Sequence, residues 1–490
     1  VGFAAMTALT TAYSSVAVGA NALDSLTTGH SCTGVGHNSL AGVTTANHNV
    51  GVGLNTGVAL TTGNGNTAIG SNTMNSGTTA LNNTVVGTHS ATAMTEGIGN
   101  TILGTVSAIA LTTGDYNNTL GYAAGYAITT GDENICIGNS AALALTTGSD
   151  NIAIGSNALN TQTTVTGEIA IGFEALKVAS NAGSNVAVGY QAGKALTSAI
   201  GVVLMGYQAG DAITTGDTNI CFGGFSMDGG AGKTAYGCTH VGHAGQRTGT
   251  SGIMNSSFGI DSVKVLTTGT GNTGLGAGSG SAITSGDSNT CIGRNAGNAI
   301  TTGTDNICIG LDSGTGNAGS VARFVIGKTV DGVADNTVTF GVGANTASLG
   351  LDGSDTSWAA ASSDERLKEN IETSKLGLNF INDLRPVNYN WKKGKDVPTD
   401  MPQYKEGSEE PVLGFKYGVS QHGFIAQECK AVQDKYADDL ADGFGLWLER
   451  ENGTQTVSDG NLIPVLVKAI QEMSTQVDEL KLELSALKGE

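Results

Sequence analysis

The stretch TTGDENICIG at Thr129–Gly138 is followed by TTGSDNIAIG at Thr146–Gly155, so nearly the same motif returns after 17 residues. The closing glycine of the motif marks this period. It recurs from Gly2 to Gly327 in steps of 17, with a single step of 19 before Gly242. Twenty glycines in one register identify a repeat array, an architecture in which each repeat packs mainly against its neighbours.

Composition divides the chain where the array ends. Residues 1–345 contain 8 Lys or Arg, 17 Asp or Glu and 62 of the 75 glycines, whereas all five prolines and all three tryptophans follow residue 357. We therefore expect a repeat array over 1–345, a linker over 346–361, a chaperone-like α+β region over 362–461 and a coiled coil over 462–490. The first residues already contain a marker glycine in register, so we expect them to belong to an array and not to a signal peptide.

The repeat predicts two short strands. A large apolar residue such as Ile137 precedes the marker glycine, a Val, Ile or Thr lies two residues earlier, and a small residue such as Cys136 separates the two. This alternation predicts a strand whose large residues are buried and whose small residue faces the other way. A second apolar position before Thr-Thr, as at Leu111, predicts a second strand. The glycine that follows, as at Gly114, suits a turn with positive φ.

Two strands and two tight turns fit within one repeat of 17 residues. The sequence therefore predicts a mostly β fold, a narrow two-sheet β-solenoid of about twenty coils, roughly 95 Å long at about 4.8 Å per coil. Its outward face of small, nearly uncharged residues would bury little apolar area in a single rod. We therefore expect the rods to associate, and we favour a parallel homotrimer, although the array itself does not fix the number three.

Asparagine precedes the marker glycine by four positions in most repeats. One coil per repeat would stack these amides in a column, where each could hydrogen-bond to the next. We interpret the column as a structural ladder in preference to a ligand site. Its members are Asn66, Asn83, Asn100, Asn117, Asn134, Asn151, Asn185, Asn219, Asn272, Asn289 and Asn306.

Cysteine and histidine offer two further candidate sites. Cys291 and Cys308 lie at the same position of successive repeats, close enough for a disulfide, but other repeats have Ala, Val or Ile there, which favours small buried thiols. In the irregular repeat, GCTHVGHAG places Cys238, His240 and His243 at a spacing that metal sites use. We interpret these three residues as polar decoration of a distorted coil. We therefore expect no metal and no cofactor. The spacing alone does not decide whether Cys238, His240 and His243 bind a metal.

A heptad pattern ends the chain. Its apolar residues alternate in steps of three and four, which predicts a coiled coil but does not decide between a dimer and a trimer. They are Ile463, Leu466, Ile470, Met473, Val477, Leu480, Leu484 and Leu487.

Four motifs between the array and the heptads carry a family resemblance. They are Ser-Asp-x-Arg-x-Lys from Ser363 to Lys368, Arg385-Pro386, Gly423–Glu428 (GFIAQE) and Leu462-Ile463-Pro464. Over about Ser362 to Glu490 the chain resembles the C-terminal intramolecular chaperone of phage tailspikes and tail fibres, the endosialidase-type self-cleaving peptidase domain. The resemblance implies a region that drives trimerisation of a β-rich fibre and is then released by cleavage between Ser362 and Ser363. The array is similar in style to the β-roll heads of trimeric adhesins.

In this resemblance, Ser363 and Lys368 match the catalytic Ser/Lys pair of the family. A lysine can activate a serine when burial or neighbouring cations deprotonate its ammonium group. Five residues correspond to about 140° around a regular helix, so Ser363 must lie on an extended lead-in or the lysine must come from a neighbouring chain. We expect Asp364 and Glu365, at the start of a helix, to offer their backbone N–H groups to the developing oxyanion. Arg366 would either keep Lys368 deprotonated or orient a carboxylate.

These patterns indicate an extracellular fibre protein of a virus particle, in which the array attaches to a host glycan or protein receptor and other tail proteins are further partners. Only intramolecular Ser/Lys peptidase activity is expected. The net charge of −19 argues against nucleic acid, and no apolar run suggests membrane insertion. One alternative is a cellular trimeric adhesin head, which should carry a membrane anchor. Another is a polysaccharide-degrading tailspike, which needs carboxylates gathered in a groove, whereas the array spreads its acids thinly.

Overall fold

The computed structural model describes residues 1–178, 183–229, 233–247, 251–351, 369–412, 418–440, 444–449 and 453–489, and the backbone of 359–360. The chain divides into two compact units, Val1–Ser363 and Asp364–Glu490. The first, the solenoid unit, is a β-solenoid, and the second, the C-terminal unit, is a small α+β region that ends in a helix. The predicted fold class is therefore confirmed for both parts of the chain.

Each turn of the solenoid contributes one strand. The three-residue strands are β1 (Val16–Val18), β2 (Thr33–Val35), β3 (Val50–Val52), β4 (Thr67–Ile69), β5 (Thr84–Val86), β6 (Thr101–Leu103), β7 (Asn118–Leu120), β8 (Ile135–Ile137), β9 (Ile152–Ile154), β10 (Ile169–Ile171), β11 (Val186–Val188), β12 (Val203–Met205), β13 (Ile220–Phe222), β14 (Thr239–Val241), β15 (Ser256–Phe258), β16 (Thr273–Leu275), β17 (Thr290–Ile292) and β18 (Ile307–Ile309). Three six-residue strands follow, β19 (Arg323–Lys328), β20 (Thr337–Val342) and β21 (Asn345–Gly350), and then the two-residue strand β22 (Ala359–Ala360).

The strands form one parallel ladder in the register that the repeat predicts. Ile135 pairs with Ile152, one period of 17 away, and the register continues in this way from β1 to β19. Across the irregular repeat, Ile220 pairs with Thr239, so two extra residues are accommodated outside the ladder. The unit thus has about nineteen turns. Strand β20 is still parallel to β19, whereas β21 and β22 add to the sheet in the antiparallel sense, within the segment that we expected to be a linker.

The predicted second strand is absent from the described repeats, and the prediction was wrong on this point. Around Leu111 the chain bends, and the N–H and Oγ1 of Thr112 both donate to the carbonyl of Thr129, at 2.9 and 3.0 Å. Several donors that converge on one carbonyl give a column of bonds between turns but no strand ladder. The predicted positive φ at Gly114 was also wrong, because positive φ occurs at other positions of the turn, such as Tyr116 at 55° and the marker glycine Gly138 at 131°.

The two faces of each strand are also reversed relative to our prediction. The small middle residue points inward, as Cys136 and Ala153 do with no exposed surface. The large residues on either side lie on the outer surface and stay half-exposed, for example Val16 at 50 %, Leu120 at 49 % and Leu275 at 48 %. The solenoid therefore presents an outward apolar face, made by the third residues of β1–β18 and by the Ile or Val first residues of half of these strands, where we expected a face of small residues.

Steric fit inside the turn explains the reversal. Large side chains from other positions, such as Leu40 and Leu145, already fill the narrow interior. Gly51, in the middle of β3, lies against Leu40, and a Cβ on it would come within 2.6 Å of Leu40 Cγ. The converse pair is Leu204 against Gly210, where an added Cβ would lie 2.6 Å from Leu204 Cδ2. Because small and large residues compensate in this way, two branched residues per strand could not also point inward.

The predicted asparagine ladder is confirmed. Asn134 is fully buried, and its Nδ2 donates to Asn117 Oδ1 at 3.0 Å and to the carbonyl of Gly148 at 2.9 Å. The backbone N–H of Asn134 donates to the same Asn117 oxygen at 3.1 Å. Each amide thus satisfies backbone groups on the adjacent turns that the narrow interior hides from water.

The C-terminal unit combines short elements with one long helix. Its elements are α1 (Leu378–Asp383), β23 (Val387–Tyr389), β24 (Gln421–Gly423), α2 (Ala426–Lys435), β25 (Trp447–Glu449), β26 (Gln455–Val457) and α3 (Leu462–Lys488). Strands β23 and β24 pair antiparallel, as do β25 and β26. Short 3-10 turns lie at Gly394–Asp396, Ala437–Asp439 and Asp459–Asn461. The core brings together Leu376, Phe380, Leu384, Cys429, Leu446, Leu462 and Val465.

Candidate functional site

The predicted self-cleavage site falls outside the described residues. This holds for the catalytic residues Ser363 and Lys368, for Ser362 at the predicted cleavage site, and for the supporting residues Asp364 and Arg366. The Ser/Lys assignment therefore stays a prediction. The described part of this region begins at residue 369, and it shows how the other motif residues are used.

Two motif residues that are far apart in the sequence contact each other. The guanidinium of Arg385, just after α1, forms a two-pronged ion pair with the carboxylate of Glu428 in α2, with Nε 3.0 Å from Oε2 and a second bond from Nη2 to Oε1. The arginine lowers the pKa of Glu428, and both side chains remain exposed to solvent. The pair ties the Arg-Pro motif to the GFIAQE motif, so these two motifs have a structural role in common.

A second contact connects the same two helices. Asp383 at the end of α1 accepts hydrogen bonds from Lys435 Nζ at 2.5 Å and from the hydroxyl of Tyr436 at 2.6 Å. Both donors lower the pKa of Asp383, and Lys435 contributes most. Below them, the ring of Tyr436 packs edge-on against Phe380, with the ring centroids 5.3 Å apart. The apolar core and these polar contacts together fix α1 against α2.

Helix α3 begins as part of this core. Leu462, Val465 and Ala469 are buried, and one turn further on, Glu472 Oε2 accepts the backbone N–H of Leu378 at 2.8 Å. A carboxylate at this place accepts a hydrogen bond from one of the N–H groups that lack a partner at the start of α1. Its negative charge also interacts favourably with the positive end of the α1 helix dipole. A Cβ on Gly377 would lie 2.3 to 2.6 Å from the Glu472 carboxylate, so a larger residue at position 377 would displace this carboxylate from the N–H of Leu378.

The heptad residues lie on another face of α3. They are exposed along the whole helix, with Ile463, Ile470 and Leu480 each more than 60 % exposed. The coiled-coil positions are therefore helical and have no apolar partner within the described part of the unit. No helix among the described residues is both long enough and apolar enough to cross a membrane.

The irregular repeat does not bring its three predicted metal-ligand candidates together. His240 is fully buried in β14, with Nδ1 2.5 Å from Ser257 Oγ and Nε2 2.5 Å from Gln246 Oε1. Cys238 lies at the ladder position, and His243 is exposed on the outside. Among the described residues, no group of three His, Cys, Asp or Glu has a geometry that could hold a metal. Burial lowers the pKa of His240 to about 4, so the ring is neutral.

Lys233 is a buried residue that the sequence reasoning missed. Its side chain is fully buried in the irregular repeat, and Nζ donates to the carbonyls of Gln246 at 2.8 Å and Arg247 at 3.0 Å. Burial lowers the pKa of the ammonium group to about 8. The step of 19 residues was the sequence signal that could have indicated a buried polar residue. Two extra residues in a narrow coil need new polar contacts to hold them.

The cysteines are small buried thiols, as predicted. All seven are free and buried, including Cys291 and Cys308, which pair in register across β17 and β18. Burial raises the pKa of Cys136 to about 12, so the reactive thiolate is scarce at neutral pH.

Comparison with known proteins adds one finding. Residues 363–438 match the family model described as chaperone of endosialidase. The match begins at the predicted catalytic serine, covers α1, β23, β24 and α2, and ends before α3. No curated protein and no solved structure matches the chain. A β-solenoid followed by a region that matches this family model fits a tail-fibre or tailspike-like protein of a phage.

Proposed function

We propose that this protein is a phage tail-fibre or tailspike-like protein, in which the solenoid attaches the particle to its host and the C-terminal unit directs assembly of a parallel homotrimer. The observation that carries the proposal is that both units, in the part of the chain that the structure describes, leave a long apolar surface without a partner. In the solenoid unit this surface is the outward apolar face, and in the C-terminal unit it is the heptad row of α3. Two apolar surfaces of this kind on one chain favour association with further copies.

The outward apolar face is well suited to association with other copies of the chain. The third residue of every strand from β1 to β18 is Ile, Val, Leu, Met or Phe, so an apolar side chain repeats once per turn along the ladder. The first residue is Ile or Val in half of these strands and Thr, Ser or Asn in the other half. Monomeric proteins rarely expose continuous apolar patches of more than a few hundred Å². Copies of the same rod in parallel would match each other turn by turn, because all have the same period. The coiled coil of α3 sets the common starting point, so that the rods meet in register.

Self-cleavage follows assembly in this proposal. Ser363 Oγ attacks the carbonyl carbon of Ser362, the peptide nitrogen leaves with a proton that passes through Lys368, and an ester joins Ser362 to the serine oxygen. Water then hydrolyses the ester and releases the fragment that begins at Ser363. If the lysine comes from a neighbouring chain, only an assembled trimer can cut itself, which would make cleavage a test of correct assembly.

Sedimentation velocity of the intact protein tests the assembly. The expected mass is three chains of 49.1 kDa, and a compact monomer would refute the proposal. Leu103→Glu with Leu120→Glu places charges on the outward apolar face and should break the trimer along the solenoid. The matched control is Thr113→Glu with Thr130→Glu, two exposed threonines on a different side of the turns, which should leave the trimer unchanged.

Removal of residues 462–490 tests the role of the C-terminal helix. Without it the exposed faces of the rods should meet out of register, and the product should be aggregated or poorly assembled. Normal trimers from the truncated chain would contradict a chaperone role for this helix. They would leave the association of the solenoid faces as the sole source of assembly.

A further inference from the structure

The solenoid surface changes character in its second half. Every Lys and Arg of residues 1–345 lies at or after Lys177. On five successive turns, an aromatic ring lies one or two residues after the marker glycine, and charged or amide side chains lie nearby in the sequence. No other run of successive turns in the array has a ring at this place on every turn. We call this surface the aromatic edge. Its rings are Phe173, Tyr190, Tyr207, Phe225 and His243, and its polar side chains are Glu174, Lys177, Gln191, Lys194, Gln208, Asp228 and Arg247.

The five rings form one continuous column along the rod. Phe173, Tyr190 and Tyr207 are stacked, with centroids 5.2 and 5.0 Å apart and planes within 14° of each other. Phe225 and His243 continue the column with edge-on contacts at 5.2 and 5.5 Å. Aromatic pairs with centroids about 4.5–7 Å apart favour offset stacking, which leaves part of each ring face uncovered. The first three residues of the column are 40 to 49 % exposed, so this side of the column is open to a ligand.

A column of fixed polar groups runs beside the rings. Gln208 Nε2 donates to Gln191 Oε1 at 3.0 Å, and Gln191 Nε2 donates to Glu174 Oε2 at 2.8 Å. The Glu174 carboxylate also contacts Lys177 Nζ at 2.5 Å and Lys194 Nζ at 2.9 Å. These two lysines lower the pKa of Glu174 to about 2, so the carboxylate stays charged. The donors and acceptors of this column are thus held at defined places before any ligand arrives.

Arg247 closes the far end of the edge. Its guanidinium lies 5.9 Å from the centroid of the Phe225 ring, and its Nε donates to Asp228 Oδ1 at 3.1 Å. Each cation of the edge except Arg247 is matched to Glu174, and Arg247 is matched to Asp228. The edge therefore carries ordered charges of both signs and no strong excess of either, which disfavours a highly charged partner.

We propose that the aromatic edge is a binding surface for a glycan chain that runs along the rod. This inference rests on the proposed attachment role of the solenoid and names the ligand class and the place. A pyranose ring has an apolar C–H face and hydroxyl groups around its rim, so it needs a flat aromatic surface beside preplaced donors and acceptors. The aromatic edge offers both, and it offers them repeatedly at the spacing of the turns, as an extended ligand of repeating units requires.

Binding of the intact protein to immobilised bacterial capsular polysaccharides and lipopolysaccharide O-chains tests the proposal. The wild-type protein should bind at least one of these glycans. Tyr190→Ala with Tyr207→Ala should weaken that binding by roughly tenfold to a hundredfold, as loss of aromatic anchors at a binding surface commonly does. Tyr190→Phe with Tyr207→Phe should keep most of the affinity, because the ring faces remain. Sedimentation velocity must show that each variant keeps the wild-type assembly.

The matched control is Tyr122→Ala with Tyr126→Ala. These exposed tyrosines follow the marker glycine Gly121 on a turn outside the aromatic edge, and their loss should leave glycan binding unchanged. If the wild type binds a glycan and the Tyr190 and Tyr207 alanine variant binds equally well, the aromatic edge is the wrong place but attachment by the protein stands. If intact bacteria bind the protein only through a protease-sensitive receptor, the glycan proposal is wrong. If neither glycans nor a panel of bacteria bind, the attachment function itself fails.

Discussion

Among the described residues of the solenoid unit, asparagine is the most frequent buried polar side chain, and it bonds to the next turn. In the C-terminal unit the polar contacts instead join elements that are distant in sequence. Asn134 and its acceptor Gly148 are 14 residues apart, and the same contact recurs along the array. In the C-terminal unit, Arg385 and Glu428 are 43 residues apart and occur once. One unit repeats a local rule, and the other depends on single long-range contacts.

This difference determines where each unit is vulnerable. A buried amide has no water to replace it, so its loss leaves several backbone groups unsatisfied at one place in the rod. Since each turn contacts mainly its neighbours, such a defect weakens the rod locally and the rest can remain folded. The C-terminal unit instead shares one core around Phe380, and its exposed ion pairs can be replaced by water at little cost.

The largest expected effect is the loss of self-cleavage between the solenoid unit and the C-terminal unit. Ser363→Ala and Lys368→Ala should each abolish release of the fragment 363–490, because the first removes the nucleophile and the second the group that carries the proton. Both variants should remain trimeric. Ser362→Ala is the control, since this residue supplies only the carbonyl that is attacked, and it should still be cut. Mass spectrometry of freshly folded protein measures the fragment.

Two results would contradict the predicted self-cleavage. Cleavage in both the Ser363 and Lys368 variants would show that the pair is not catalytic. Absence of cleavage in the wild type would mean that the C-terminal unit is a permanent trimer clamp, and the comparison between the units would then rest on structure alone.

The next effect tests the local rule of the solenoid. Asn134→Ala leaves the carbonyl of Gly148 and the donors of Asn151 without their partner, which should cost on the order of 3–5 kcal/mol locally. Hydrogen exchange should show faster opening at the turns beside residue 134 and little change at remote turns. The control is Asn139→Ala, where an exposed asparagine only accepts a bond from Ser140. An equal effect of both variants would contradict a structural ladder.

The sequence predicted the repeat, the register and the asparagine ladder because each depends on one residue type at a fixed spacing. It did not predict which strand face is buried. Period-two alternation shows that Ile135 and Ile137 share a face, but it does not say which side that face is on. The decision depends on Leu40, Leu145 and similar residues, which occupy the interior from other parts of the turn. The rule that larger apolar residues go inside failed because the interior was already full.

The contacts of the C-terminal unit could not be predicted for a different reason. Nothing in the spacing of Leu378 and Glu472, which are 94 residues apart, links the end of one helix to the middle of another. The family resemblance identified Arg385 and Glu428 as motif residues but did not show that they touch. The heptad row of α3 was predictable, since its pattern is local. The aromatic edge was missed because its residues are ordinary in any single repeat and gain meaning only as a column.

A smaller effect comes from the one glutamate in the ladder. Glu168 is fully buried, accepts a bond from Asn185 Nδ2 at 3.1 Å, and burial raises its pKa to about 7. The folded state therefore holds the proton more tightly than the unfolded state, so stability is highest below about pH 4.5 and falls as the pH rises to about 7. Glu168→Gln should remove this loss and stabilise the protein by on the order of 2–3 kcal/mol at pH 8.

Thermal unfolding of wild type and Glu168→Gln between pH 5 and pH 8 measures this effect. The two melting temperatures should be close at pH 5 and diverge as the pH rises. Glu133→Gln is the control, because Glu133 is exposed and should not change the pH dependence. A constant difference across the pH range would mean that Glu168 does not titrate in the ladder.

The smallest effect concerns the exposed ion pair of the C-terminal unit. Arg385→Lys and Glu428→Gln should each change the melting temperature of the protein by an amount near the limit of measurement, because both side chains are exposed and water can replace either partner. In a double-mutant cycle the coupling between the two positions should be weak, and it should shrink further in high salt. A large coupling that persists in high salt would show that the pair is shielded in the assembled protein. The contrast between a solenoid held by buried local bonds and a unit held by its core would then need to include this long-range pair.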